Sequence, residues 1–206
     1  MTMRMSREES QAATRCKLLA AATKMFAREG YAAASVDRIA AAAGYSKGAF
    51  YSNFESKEQI FLELLEAHGE ASLGKLLDAL DGASDVQAAI EAVSAWADAK
   101  ASEGNWSLLV LEHQRYAKPG KRFEKSQEAV FRSHWRRLGG RLAAWAPDCG
   151  IDAEKLGAVV FELTHAPAMT FVRSPSAGDL VRYALDALLA PGGRAPRGHG
   201  PAKEGR

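Results

Sequence analysis

Residues 35–58 read SVDRIAAAAGYSKGAFYSNFESKE. A short Ala-rich apolar stretch ends at Gly44, and a second short stretch opens at Ser46 and carries Tyr51, Ser52 and Asn53. Two short helices joined by a tight glycine-containing turn make a helix-turn-helix, whose second helix lies in the DNA major groove. Ser35 is a good N-cap for the first of the pair, with Asp37 favourably placed in its first turn. Val36, Ile39, Ala40 and Ala43 form its inward face. Ser46 caps the next helix, of about seven residues, anchored by Phe50 and Phe54. Ser56 and Gln59 form an S-x-x-Q capping box that opens a long helix reaching about Leu80.

Upstream, Leu18, Ala21, Ala22, Met25 and Phe26 recur at i, i+3, i+4, i+7 and i+8, one apolar stripe of a helix over 11–29 that Gly30 stops. Downstream, helices are expected over 85–102, 105–118, 121–146, 152–173 and 177–190. Gly139-Gly140 falls inside the 121–146 segment, a weak point in a helix expected to run through it. Pro167 should kink the segment that contains it. No stretch alternates in the manner of a strand. The fold class is all-α: an N-terminal three-helix helix-turn-helix domain over 1–58 and a C-terminal helical bundle over 59–190. Residues 191–206 (PGGRAPRGHGPAKEGR) are Pro/Gly-rich, and are expected to form a disordered basic tail.

Charge is unevenly placed. Residues 1–58 carry nine Lys/Arg against six Asp/Glu, residues 59–190 fourteen against eighteen, and residues 191–206 four against one. The basic excess at the N-terminal end agrees with phosphate contact. No apolar run reaches the roughly 18–20 residues that span a bilayer, and MTMRMSREESQ lacks the apolar centre of a signal peptide. Cys16 and Cys149 form no CxxC, so a cytoplasmic, disulfide-free protein is expected, with no membrane association.

The text TRCKLLAAATKMFAREGYAAASVDRIAAAAGYSKGAFYSNFESKE, residues 14–58, closely resembles the DNA-binding domain of the TetR family of bacterial one-component regulators. The resemblance lies in the F-x-x-x-G-Y helix end, the S-V-x-x-I-A second helix and the G-Y-S-K-G-x-F-Y recognition helix. It implies that Ser46, Lys47, Gly48 and Ala49 point at base edges, and that Tyr51, Ser52 and Asn53 reach sugar and phosphate. It also implies that Lys57 and Ser35 meet phosphates at helix N-termini. The family often has an aromatic residue or His where this chain has Ser52 and Asn53, so those contacts are expected to be shorter or water-mediated. Independently of any family, Lys47 can donate to guanine O6/N7, while Gly48 and Ala49 let the backbone approach the groove.

The resemblance further implies a homodimer on a double-stranded operator and a small ligand in the C-terminal domain. Trp96, Trp106, His113, Phe131, Trp135, Phe161 and His165 are the candidate lining of an apolar pocket with a few polar groups, for a small hydrophobic or aromatic molecule. Leu156, Val159, Val160, Leu163, Leu180, Tyr183, Ala184 and Leu188, on the last two helices, are the candidate dimer interface. No cofactor, no metal and no catalysis are expected. Gly44-Tyr45-Ser46-Lys47-Gly48 fits G-x-S-x-G, but that nucleophile elbow needs a strand running into the serine, and DRIAAAAG is helical. Glu162 and His165 make one E-x-x-H, whereas a di-iron bundle needs two with two further glutamates. The competing reading is a DNA-binding regulator that is constitutive, or controlled by a protein partner, with a filled core and no small ligand.

Overall fold

The computed structural model describes residues 6–103, 106–116, 120–147, 150–169 and 173–189. Among these there is no strand. In chain order the helices are α1 (Arg7–Ala33), α2 (Val36–Ala42), α3 (Lys47–Tyr51), α4 (Lys57–Asp81), α5 (Val86–Ser102), α6 (Trp106–Tyr116), α7 (Lys121–Ala143), α8 (Ala153–His165) and α9 (Ala177–Leu189). The expected tail over 191–206 and Cys149 lie outside the described residues, and Cys16 is an exposed free thiol.

Packing divides the chain into two compact units. One takes residues up to 72 together with 103–131, and the other takes 73–102 with 132 onward. The division does not fall at 58/59. The head encloses Leu18, Ala22, Met25 and Phe26 of α1, Ile39 of α2, Phe50 and Phe54, and it is completed by Ile60 and Phe61 of α4 and Leu109 of α6. The helices α1, α2 and α3 bury too little apolar surface alone, so the start of α4 and Leu109 of α6 belong to the same core.

α1 starts four residues earlier than its apolar stripe suggests. The Ser6 hydroxyl accepts from the Glu9 N–H at 3.1 Å, and the Glu9 carboxylate accepts from the Ser6 N–H at 2.7 Å, a complete capping box. Gly30 does interrupt α1: its φ of +81° is the left-handed region. A Cβ there would lie 2.6 Å from the Glu112 carboxylate of α6. The same carboxylate accepts from the Tyr31 N–H at 2.7 Å, so α6 is keyed against the end of α1. At α4 the capping box is only half formed. Ser56 accepts from the Gln59 N–H at 3.2 Å, but the Gln59 side chain turns to the Glu55 N–H instead.

The second unit packs Leu73, Leu76 and Leu80 of α4 with Ile90 and Val93 of α5, Leu138 and Leu142 of α7, Leu156 and Val160 of α8, and Val181 and Leu185 of α9. α7 runs unbroken through Gly139-Gly140, within the helix expected over 121–146. The reason is a close crossing with α8. A Cβ on Gly139 would stand 1.7 Å from the Ala153 carbonyl oxygen, and one on Gly157 2.0 Å from that of Trp135. Helix propensity lost at glycine, about 1 kcal/mol, is outweighed by the contact it permits. α5 and α9 meet similarly at Gly178, whose N–H donates to Asp98 at 2.6 Å. Pro167 does not kink a helix reaching 173. α8 ends at His165, and a 3-10 turn follows over Ala166–Met169, because proline has no N–H to continue the ladder.

Candidate nucleic-acid interface

The head presents α3 by two devices. Gly44, at φ +79°, makes the tight turn after α2, with open space around its Cα, so backbone conformation alone calls for glycine. Ser46 then caps α3, accepting from the Ala49 N–H at 3.2 Å, as Ser35 caps α2, accepting from the Arg38 N–H at 3.3 Å. Phe50 and Phe54 are fully buried beneath, each burial stabilising by about 2–3 kcal/mol. The opposite side of α3 leaves Lys47, Gly48 and Tyr51 exposed, with Ala49 half-buried. Nothing within the head requires glycine at 48, where a Cβ would meet only the Ser46 hydroxyl, at 3.6 Å.

Two α1 side chains that the sequence reading passed over fix this assembly. Arg15 stacks its guanidinium 4.1 Å from the Phe54 ring centre, donates to the Asn53 carbonyl and pairs with Glu63. It therefore closes the otherwise unpaired C-terminal end of α3. Thr14 hydrogen-bonds Tyr45 in the turn and holds its hydroxyl below the ordinary tyrosine range, with the Lys17 ammonium 5.7 Å from the ring. Arg and Thr on a helix carry no local signal for such contacts, since their partners lie some thirty or more residues away.

The predicted DNA-contacting side chains are brought to one end of the head, but several are already engaged. The Lys47 ammonium lies 2.9 Å from the Asp37 carboxylate, which raises its pKa; the pair is exposed and readily exchanged for another acceptor. Lys57 is half-buried. It donates to the Tyr31 carbonyl at 2.9 Å and the Ala34 carbonyl at 2.8 Å, and stands 4.0 Å from the Tyr31 ring centre. Burial pushes its pKa down, against the nearby Glu58. Two of its three N–H groups thus pin the corner between α1 and α2, a role the sequence reading did not foresee. Ser52 donates to the Gly48 carbonyl at 3.0 Å, and the Asn53 amide donates to that of Ala49 at 2.8 Å, both folded back onto their own helix. The Asn53 Oδ1 is buried without a hydrogen-bond partner.

The pocket candidates do not fall within one unit. Trp106, His113 and Phe131 belong to the head, while Trp96, Trp135, Phe161 and His165 belong to the second unit. His113 is 1% exposed, among Tyr31 (4.8 Å between ring centres), Phe61 (4.8 Å) and Phe123 (4.6 Å). Its two ring nitrogens have no hydrogen-bond partner, and burial lowers its pKa. His113 is thus a neutral core residue of the head. Trp106 stacks on His68 at 4.4 Å. His165 Nδ1 lies 2.7 Å from the Phe161 carbonyl of its own helix, and burial lowers its pKa.

Of the dimer candidates, Leu156 and Val160 are buried in the chain's own core and are not available to a second copy. Leu163 and Leu188 pack on the flank of that core. Val159 and Tyr183 are exposed, with Leu180 and Ala184 half-buried. The helical period alone does not tell which side of an apolar stripe meets its own chain. No helix among the described residues is long and apolar enough to cross a membrane, and none of their His, Cys, Asp and Glu groups could hold a metal ion.

Residues 18–64, from within α1 to the opening turns of α4, match the profile of the bacterial regulatory proteins, tetR family. This segment is a tetR-family domain. It is 32% identical over 106 residues, 51% of its own length, to the HTH-type transcriptional activator FasR of Mycolicibacterium smegmatis. That match spans about half (48%) of the relative. Its fold is that of the fatty acid degradation regulator FadR from Bacillus halodurans (TM-score 0.64, 18% identity, 91% of this chain and 97% of that one). It is likewise that of FadR from Bacillus subtilis in complex with stearoyl-CoA (TM-score 0.65, 17% identity, 85% and 97%).

Proposed function

We propose that this chain is a sequence-specific DNA-binding transcriptional regulator, acting as a homodimer that represses from a palindromic operator until a small hydrophobic ligand releases it. The observation that carries the reading is the outward face of α3. Ser46, Lys47, Gly48 and Ala49 begin a short helix fixed from beneath by Phe50 and Phe54, in the segment that matches the tetR family. A rigidly seated helix with small side chains and one long cation at its start suits close approach to base edges in the major groove. Lys47 exchanges Asp37 for guanine O6/N7. Ser35 and Ser46 accept from their own helices and keep a hydroxyl proton for phosphate, as Lys57 keeps its third N–H. Tyr51, Ser52 and Asn53 border the sugar-phosphate backbone.

Two heads held about 34–36 Å apart would read successive major grooves. The exposed Val159 and Tyr183, with Leu180 and Ala184, are the surface on which α8 and α9 would meet their copies. Ligand release requires that the molecule bind one arrangement of the dimer more tightly than the other. The stearoyl-CoA complex of the Bacillus subtilis FadR makes a long acyl chain one member of the hydrophobic class to test first.

One observation favours a second reading, control by a protein partner without a small ligand. His113, the polar group expected to orient a ligand, is enclosed by core aromatics of the head instead. Selection of bound genomic fragments tests DNA binding. Palindromic enrichment is expected, and recovery of no preferred sequence would refute the reading. Adding hydrophobic compounds to the protein–operator complex separates the two forms of control.

A further inference from the structure

The donors that sequence assigns to phosphate are largely engaged inside the head, which raises the question of where the uncommitted ones lie. Beside the C-terminal end of α3 is a cleft of about 570 Å³, bordered by Arg7, Ser10, Gln11 and Thr14 of α1 and by Ser52 and Asn53, with Ser6 at its edge. Every one of these side chains is polar. Arg7, Ser10, Gln11 and Thr14 stand at i, i+3, i+4 and i+7, so they share one face of α1. Glu8 and Glu9 are rotated from Arg7 by about 100° and 200°. Neither acid borders the cleft, and Glu9 is held in the capping box. Among the described residues the Arg7 guanidinium, the Gln11 amide and the Ser10 hydroxyl make no hydrogen bond or ion pair, whereas Arg15, Arg38, Lys47 and Lys57 all do. On the α3 side, the cleft adds the Ser52 hydroxyl and the unpartnered Asn53 Oδ1.

We infer that this cleft is a seat for the DNA backbone, in which Arg7 and Gln11 hold one phosphate per protomer and fix the angle at which α3 enters the groove. The inference rests on the DNA-binding reading above and adds α1 residues that lie outside the helix-turn-helix. The fit is chemical. A phosphodiester offers only acceptors, and the cleft offers a fork of guanidinium donors, an amide and the Ser10 hydroxyl, with no competing carboxylate on its walls. Asn53, which borders the cleft, keeps a buried Oδ1 without a hydrogen-bond partner. Such a contact positions and does not specify.

The test uses the full chain and the operator recovered by selection. Binding is measured against salt for wild type, Arg7→Gln, Arg7→Gln with Gln11→Ala, and Arg28→Gln, a control cation elsewhere on α1. Arg7→Gln should weaken operator and unrelated duplex about equally. It should lower the slope of log K against log salt by about 0.9 per protomer, roughly 2 for a dimer. Phosphate-ethylation interference should lose one position in each half-site, and Arg7→Lys should restore much of the slope. Arg7 is exposed and the Ser6–Glu9 box is untouched, so melting temperature should not move. An unchanged slope and interference pattern in the double variant overturns the inference, whatever other anion the cleft admits. Equal losses from Arg7→Gln and Arg28→Gln also overturn it, as a general charge effect. Failure of the wild-type chain to prefer any duplex would instead sink the DNA-binding reading itself.

Discussion

Lys57→Ala separates two roles that one side chain can play. A purely phosphate-facing lysine would cost DNA affinity and nothing else. In the structure the ammonium donates to the carbonyls of Tyr31 and Ala34, on either side of the corner between α1 and α2, and lies over the Tyr31 ring. A hydrogen bond from a charged group is worth about 1.5–3 kcal/mol when buried. Lys57 is only half-buried, so about 1 kcal/mol for each is the better figure, or roughly 2 kcal/mol in all. For a chain of this size that lowers Tm by about 4–8 °C. Lys57→Met, which keeps the stem and drops the donors, should lose nearly as much. The assay pairs thermal melting with the salt dependence of DNA binding. Expected is a clear loss of Tm together with a slope lowered by no more than about 0.9 per protomer. A Lys57→Ala protein with wild-type Tm and a lowered slope would refute the corner-pin argument and return Lys57 to phosphate contact alone.

Other expectations follow from the packing. Gly157→Ala forces a methyl against the Trp135 carbonyl of α7 and should destabilise by about 2–3 kcal/mol or more, read by denaturant titration; a neutral result would mean that α7 and α8 are not in such contact. Val159→Glu with Tyr183→Glu should yield a folded monomer by sedimentation, because both side chains are exposed within the chain; a persisting dimer places the interface elsewhere. His113 stays neutral in the folded head, while the unfolded chain takes up its proton near pH 6.5. Its contribution is therefore complete above about pH 7 and is lost as pH falls below about 6.5, by up to 1.36 kcal/mol per pH unit, with His165 adding in the same direction. His113→Phe should flatten that part of the stability–pH curve; a curve of unchanged steepness would show that the ring is not held neutral.

The head was legible in sequence because its signals are local. Ser35, Ser46, Gly44 and the Phe50/Phe54 pair act within four residues of where they stand, and the helical stripe of α1 lies within three turns. Ser6 and Glu9 are equally local, yet they stand twelve and nine residues before Leu18, the first position of the apolar stripe, so the stripe alone does not reach the box that begins its helix. What was not legible depends on distant partners. Gly139 and Gly157 read as weak points until α7 and α8 are seen to cross at them. Lys57 reads as a surface cation until residues 31 and 34 are brought beneath it. Leu156 and Val159 are equivalent in an apolar stripe, and only the packed chain shows that one faces inward and the other outward. His113 looked like a pocket residue because the docking of α6 on α1 leaves no trace in spacing or composition.

The fit between Gly30 and Glu112 bears on how this protein can be cut and recombined. The carboxylate of α6 occupies the volume that a side chain at position 30 would need, and takes the Tyr31 N–H as its partner. Leu109 from the same helix completes the apolar floor under Phe26 and Phe61. A fragment ending at 58 would leave that floor open and that N–H unanswered. Transplanting this head onto another domain therefore means carrying α6 along, and a chimera joined just after the helix-turn-helix would inherit a foreign helix where Gly30 and Glu112 are fitted to each other.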